Sequence, residues 1–361
     1  MICFAYGSVL TVAFLFVLFS VKNICLKKKD TLLLLWLFLF GIVILAFNTK
    51  ITPGDDLERY FYQMSLFRCN GIKYAFEKGP WAETPLATIL LYFVATTGID
   101  GLLPAIASGI VWWIYFYIIY DSVQVTTSES KYINIKSLVI RLVFVIMCTN
   151  FYSVISGIRS PISTAIACLG LFLDFKKNKR KSACVLYFLA VFFHVNALNI
   201  IVIRLALHIS GKRKNNKAII VLPLLCLVGF WIVKNVNIPY TQYIMSKMGM
   251  YAGFAENGMM WFVTKVVFYL GIIFIVLSVI PSEENTLPRT YMLTLNIYLF
   301  IMLFVYDYIP MRLQSLAYIS SLFIIKEKKK KHLYVLGIGL LLLWAVLNIK
   351  YDIELYKRWS F

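Results

Sequence analysis

The chain has 361 residues, 61% of them apolar, a mean hydropathy of +0.79 and a formal charge of +19. Soluble domains are roughly half apolar, so this composition excludes an ordinary water-soluble enzyme. The charge does not mark a nucleic-acid binder: half of the 36 Lys and Arg sit in four short tracts between apolar runs, where basic residues set membrane orientation.

Apolar runs of about 17 to 25 residues recur from end to end, long enough to cross a hydrocarbon core of about 30 Å. Lipid offers the backbone no partner, so such runs must be helical. The sequence therefore predicts an all-α, polytopic integral membrane protein of about eleven or twelve membrane helices, forming a single multi-pass domain over 1–361. The run at about 3–21 lacks a basic leader and a small-residue cleavage site, and Lys22 and Lys27–Lys29 follow it. It reads as an uncleaved first helix. A second helix is expected at about 31–48. With the tracts Lys22 and Lys27–Lys29, 176–181, 212–217 and 326–331 all in the cytoplasm, the polar stretch at about 49–84 is an extracytoplasmic loop.

The next run, Pro85–Thr97, is short for a span and reads as a re-entrant or interfacial segment. Spans are expected at about 103–120, 137–154 and 160–175. Ser182 to Ile209 lies between two basic tracts. It is too long for one helix with both ends inside and too short for two full spans at about 20 residues each. It predicts a hairpin of two short helices with its apex near His194. Later spans are expected at about 218–236, 261–280, 291–306, 311–325 and 333–349. The seven cysteines are scattered without a CxxC, which predicts neither a disulfide framework nor a thiolate metal site.

Ionisable residues in or beside spans are expensive and are functional candidates. Four places qualify. In Asp55-Asp56-Leu57-Glu58-Arg59-Tyr60-Phe61-Tyr62, helical spacing puts Asp56 with Tyr60, and Asp55 with Arg59, on shared faces. Either Asp also suits a helix N-cap. In Gly157-Ile158-Arg159-Ser160-Pro161, Pro161 fits a first helical turn. Arg159 then stands at a helix N-terminus, where guanidinium and backbone N–H groups together suit an anion. The competing reading is an Arg that snorkels to the interface. His194, with Asn196 beside it, sits at the hairpin apex and serves either chemistry or structure. In Asp307 to Gln314, Asp307 and Arg312 either pair with each other and serve packing, or Arg312 faces the outer side and suits an anionic substrate.

In this order, Asp56 to Tyr60, Gly157-Ile158-Arg159, Phe193-His194 and Arg312 with Tyr318 resemble the EpsG family of polysaccharide-biosynthesis proteins, a branch of the Wzy-type polymerases, over roughly 1–330. Ser160-Pro161 and Val195-Asn196-Ala197 depart from residues common in that family. The resemblance implies a polymerase of undecaprenyl-diphosphate-linked oligosaccharide units, as in O-antigen or exopolysaccharide synthesis. It would act on the outer face of a bacterial plasma membrane, alongside a flippase and a chain-length regulator. Arg159 and Arg312 would stabilise the diphosphate leaving group. Asp56 or His194 would take the acceptor proton. Asp55, Arg59, Ser160, Asn196 and Gln314 are further candidate substrate contacts, with Tyr60, Tyr62 and Trp81 as stacking surfaces for sugars. No cofactor, metal or nucleic acid is expected. A transporter or flippase of the same lipid-linked units, and a membrane acyltransferase acting on the glycan, are the alternatives; a purely structural subunit is a third.

Overall fold

The computed structural model describes residues 19, 22, 24–49, 56–79, 84–124, 132–149, 151–194, 196–210, 259–282, 286–305, 308–322 and 329–356. They divide into two compact units, one running to Ala197 and one from Leu198 to Arg358. In unit 1 the helices are α1 (Lys28–Phe47), α2 (Asp56–Glu77), α3 (Pro85–Thr97), α4 (Leu102–Gln124), α5 (Ile135–Thr149), α6 (Phe151–Gly157), α7 (Arg159–Phe175) and α8 (Arg180–Phe193). Unit 2 holds α9 (Ala197–Ser210) from its second residue on, α10 (Met259–Ser278), α11 (Thr286–Val305), α12 (Tyr308–Ser321) and α13 (Lys331–Tyr356). Among the described residues, two three-residue strands, β1 (Cys25–Lys27) and β2 (Tyr132–Asn134), form a ribbon, and Val279 makes a single antiparallel bridge with Lys329. The ribbon is antiparallel, with Leu26 opposite Ile133.

Among the described residues, three helical stretches are long and apolar enough to cross a membrane: Lys28–Phe47, Leu102–Val123 and Thr286–Phe304. The pair α5 and α6, bent by 47°, makes a fourth if counted as one broken span. The sequence suggests more spans, for physical reasons. The expected spans near 3–21 and 218–236 fall largely or wholly outside the described residues. The runs at 160–175 and 182–209 fold as helices of 17, 14 and 14 residues, so they are apolar yet short. Pro85–Thr97 is a helix of 13 residues, about 20 Å long and too short to span.

Unit 1 has two chemically different ends. At one end the Tyr120 hydroxyl donates to the Lys28 carbonyl, and Lys177 pairs with Asp121 at 2.7 Å. These contacts bring the tracts at Lys27–Lys29 and 176–181 together at the C-terminal end of α4. α1 and α4 run antiparallel, with Phe38 stacked on Phe116 and Gly101 so close to Phe47 that a Cβ would lie 2.5 Å from its carbonyl oxygen. That contact marks the opposite end. There Arg68 of α2 pairs with Asp100 and its Nε donates to the Ala95 carbonyl at 2.9 Å. α2 is amphipathic. Leu57, Tyr60, Met64 and Phe67 recur at helical spacing and are buried, while Tyr62 is 62% exposed. α7 links the two ends. It begins at Arg159 and stops at Phe175, beside the 176–181 tract, after about 25 Å.

In unit 2, α10 and α13 pack along a seam where Gly337 approaches the Gly271 carbonyl and the Ile275 backbone. A Cβ there would sit 2.9 Å from both. Small residues of this kind allow helix backbones to approach within a membrane. Lys330 then donates to the Ser278 carbonyl at 2.7 Å, which holds the start of α13 to the end of α10.

Candidate functional site

The site is built at the start of α7. Arg159 is its first residue, and Pro161 lies in the first turn as the sequence suggests. The first helical bond runs from the Ile162 amide to the Ile158 carbonyl at 3.2 Å. Ile158, the N-cap, is buried and holds φ 28° and ψ −67°. A positive φ on a β-branched residue is strained, and such strain concentrates at functional sites.

Arg159 is half-buried and gripped from two sides. Its Nε donates to the Tyr60 hydroxyl and its Nη1 to the Thr84 hydroxyl, both at 3.2 Å. Tyr60 in turn donates to the Gly157 carbonyl at 3.5 Å, so the ring that positions the guanidinium also touches the turn that carries it. Thr84 and Tyr60 are buried. Thr84 immediately precedes α3 but caps it with no side-chain bond, which leaves its hydroxyl to accept from Arg159. Sequence reading misses Thr84. The available signal is a Thr-Pro pair opening a short apolar helix.

The other candidates distribute as follows. Asp56 opens α2 one turn before Tyr60 and pairs with Arg59 at 3.4 Å, with both side chains well exposed. Tyr62 faces outward from the same helix. Ser160 is buried. His194 follows α8 in extended backbone, where the sequence puts the break between two short helices. Its carbonyl accepts from Ser163 at 3.3 Å, and Ser163 also donates to the Ala190 carbonyl at 2.8 Å. Ser163 lies one turn beyond Arg159 on the same face of α7, so His194 is anchored about 6 Å deeper along that helix. Its Nδ1 accepts the Asn196 amide at 3.2 Å. Unit 1 thus gathers Tyr60, Thr84 and Arg159 into one cluster, flanked by Asp56 and by His194 with Asn196.

Asp55, Trp81 and Asp307 lie outside the described residues. Arg312 lies in α12 of unit 2, with its side chain outside the described atoms. Gln314, two residues on, is buried and accepts from Lys265 Nζ at 2.7 Å.

An Arg at a helix N-terminus opposes the positive end of the macrodipole. The Tyr60 and Thr84 hydroxyls orient that charge by accepting from the guanidinium. What this arrangement offers chemically is a positioned, half-buried guanidinium at a helix N-terminus, a combination complementary to a phosphate or another anion. Comparison of the chain with protein-family models, with curated proteins and with solved structures found no match.

Proposed function

We propose that this chain is a multi-pass membrane polymerase that joins oligosaccharide units carried on undecaprenyl diphosphate. It would work at the extracytoplasmic face of a bacterial plasma membrane, with a flippase and a chain-length regulator as partners. The observation that carries the reading is the Tyr60–Thr84–Arg159 cluster at the start of α7, at the end of unit 1 opposite two basic tracts. If those tracts are cytoplasmic, the cluster faces outward, where lipid-linked units are joined. In this reading α3 is the re-entrant or interfacial segment: Thr84 at its start and Ala95 near its end are tied to α2 and α7. The chain as a whole makes about eleven or twelve membrane passes, including a short hairpin at His194.

The reaction balances without a nucleotide sugar. An acceptor hydroxyl oxygen bonds to the anomeric carbon of the growing chain. The bond from that carbon to the diphosphate breaks, its electron pair leaves with the diphosphate, and the hydroxyl proton passes to a base. Arg159 would stabilise the charge that develops on the leaving group, where preorganised donors contribute most. In this reading Asp56 is the base, because its carboxylate is exposed one turn before Tyr60. His194 positions the donor from deeper along α7. Arg312 is carried by the resemblance alone. The test is polymer length in cells making Arg159→Ala or Arg159→Lys. Arg159→Ala is expected to abolish long polymer. Arg159→Lys should stay well below wild type, because an ammonium lacks the two-pronged geometry of a guanidinium. Normal polymer with Arg159→Ala, at normal membrane abundance, removes Arg159 from the site.

A further inference from the structure

Unit 1 carries a surface at its basic end that plays no part in the reading above. It follows from the turn between α7 and α8. Asn178 takes φ 51°, the left-handed region that Asn enters more readily than most residues. The Lys176 amide donates to the Phe172 carbonyl and the Lys179 amide to the Leu173 carbonyl, both at 2.9 Å. These bonds close α7 and send the chain back along it. α8 then packs on α7 through a narrow face. Ala183, Tyr187 and Ala190 are buried at helical spacing. Gly170 of α7 makes room for the Tyr187 ring, which a Cβ there would approach to 2.8 Å, and the Tyr187 hydroxyl donates to Asp174 at 3.5 Å.

The opposite face of α8 carries larger side chains. Val185, Phe188 and Phe192 are exposed, Phe188 at 67%. Lys181 heads the same face, because each of these positions follows the last by three or four residues. From Lys181 to Phe192 is about 16 Å along the axis, the depth of one leaflet in a hydrocarbon core of about 30 Å. Above the stripe, Asn178, Lys179, Arg180, Lys181 and Ser182 line an open hollow of about 560 Å³, within the range of small-ligand sites. Its three cations are exposed and make no ion pair with a described residue. Of the described carboxylates at this end, Asp121 pairs with Lys177, Asp174 accepts from Tyr187, and Asp30 stands in the first turn of α1. Orientation alone would be served by basic residues anywhere along the tract. Here they form a cationic hollow set directly on an apolar stripe one leaflet deep.

We propose that this face of α8 holds an anionic phospholipid, with its phosphate among Lys179, Arg180 and Lys181 and one acyl chain along Val185, Phe188 and Phe192. An anionic headgroup gains charge-assisted hydrogen bonds from three cations. A zwitterionic headgroup brings a cation of its own into the same hollow and gains less. The inference concerns the end of unit 1 opposite the Tyr60–Thr84–Arg159 cluster, and it holds whichever reaction the protein performs.

The test uses the full-length protein in phosphatidylcholine vesicles containing a minority of a photoreactive lipid with a diazirine midway along one acyl chain. The headgroup is phosphatidylglycerol in one series and phosphatidylcholine in the other. Cross-linked peptides are mapped by mass spectrometry, and the probe fraction giving half-maximal yield on the peptide that contains Val185 to Phe192 is measured. The phosphatidylglycerol probe is expected to reach half-maximal yield at the lower fraction. Lys181→Gln, at an exposed position that leaves the rest of the tract basic, should raise that fraction about fivefold, the contribution of one basic residue near anionic lipid. Lys181→Arg should match wild type. Lys331→Gln, which removes an exposed charge at the start of α13 in unit 2, should also match wild type. Equal half-maximal fractions for the two headgroups overturn the proposal, as does an unchanged fraction in a folded Lys181→Gln. A shift in Lys331→Gln as large as that in Lys181→Gln overturns it too, because the effect then belongs to net charge and not to this face.

Discussion

Tyr60→Phe isolates the positioning of Arg159 from its charge. The ring is 4% exposed and packs in the core face of α2, so phenylalanine keeps the packing and deletes one oxygen. That oxygen accepts from Arg159 Nε at 3.2 Å and donates to the Gly157 carbonyl at 3.5 Å. A hydrogen bond to a charged group contributes about 1.5–3 kcal/mol. Arg159 is half-buried and the bond is longer than the optimum near 2.9 Å, which argues for the lower end, about 1.5 kcal/mol. The Gly157 bond is at the limit of useful geometry and adds little. The expected result is about a tenfold fall in polymerisation rate, with normal insertion and abundance. The assay is initial rate of polymer formation by purified protein in nanodiscs supplied with lipid-linked units. Because Tyr60 acts through Arg159, Tyr60→Phe should add almost nothing to Arg159→Ala. A wild-type rate for Tyr60→Phe, or full additivity in the double variant, refutes the idea that Tyr60 serves the site by holding Arg159.

The division of labour in the site is checked by Asp56→Asn, which should accumulate single lipid-linked units, and by His194→Gln, which keeps hydrogen-bonding capacity and should retain partial activity; gel-resolved polymer length with the opposite pattern reverses the two roles. The polarity of unit 1 predicts that a cysteine at Tyr62 reacts with an impermeant reagent in intact cells and one at Asn178 does not; labelling at Asn178 alone inverts the orientation and takes Arg159 to the cytoplasmic side. Gly337→Ala should lower stability by about 1–3 kcal/mol through overpacking against Gly271 and Ile275, whereas Gly339→Ala, with nothing within 4 Å of its Cβ, should leave the thermal midpoint near wild type; equal midpoints contradict the close approach of α10 and α13.

What the sequence makes legible is what rests on local period and local chemistry. The apolar runs at Lys28–Phe47 and Leu102–Val123 fold as helices of spanning length, because their length alone demands it. The start of α7 at Arg159 and the break at His194 follow from Pro161 and from the short interval between basic tracts. Partners are harder. Tyr60 and Thr84 lie 99 and 75 residues from Arg159, and no periodicity links positions so far apart. Lys265 escapes notice for the opposite reason: it is one charge inside a long apolar run, and only its partner Gln314 stands in a stretch polar enough to attract attention. The ribbon of Cys25–Lys27 with Tyr132–Asn134 is invisible locally because three residues carry no usable alternation. The bend between α5 and α6 likewise falls within what reads as one continuous span.

The most direct measurement is turnover by the purified full-length protein, reconstituted in vesicles with undecaprenyl-diphosphate-linked oligosaccharide and no other enzyme or nucleotide sugar. A polymerase converts single units into a ladder of longer lipid-linked chains and releases one undecaprenyl diphosphate for each bond formed, and Arg159→Ala does neither. Movement of unchanged units between leaflets, with no new glycosidic bond and no diphosphate released, contradicts the proposal and identifies a transporter instead.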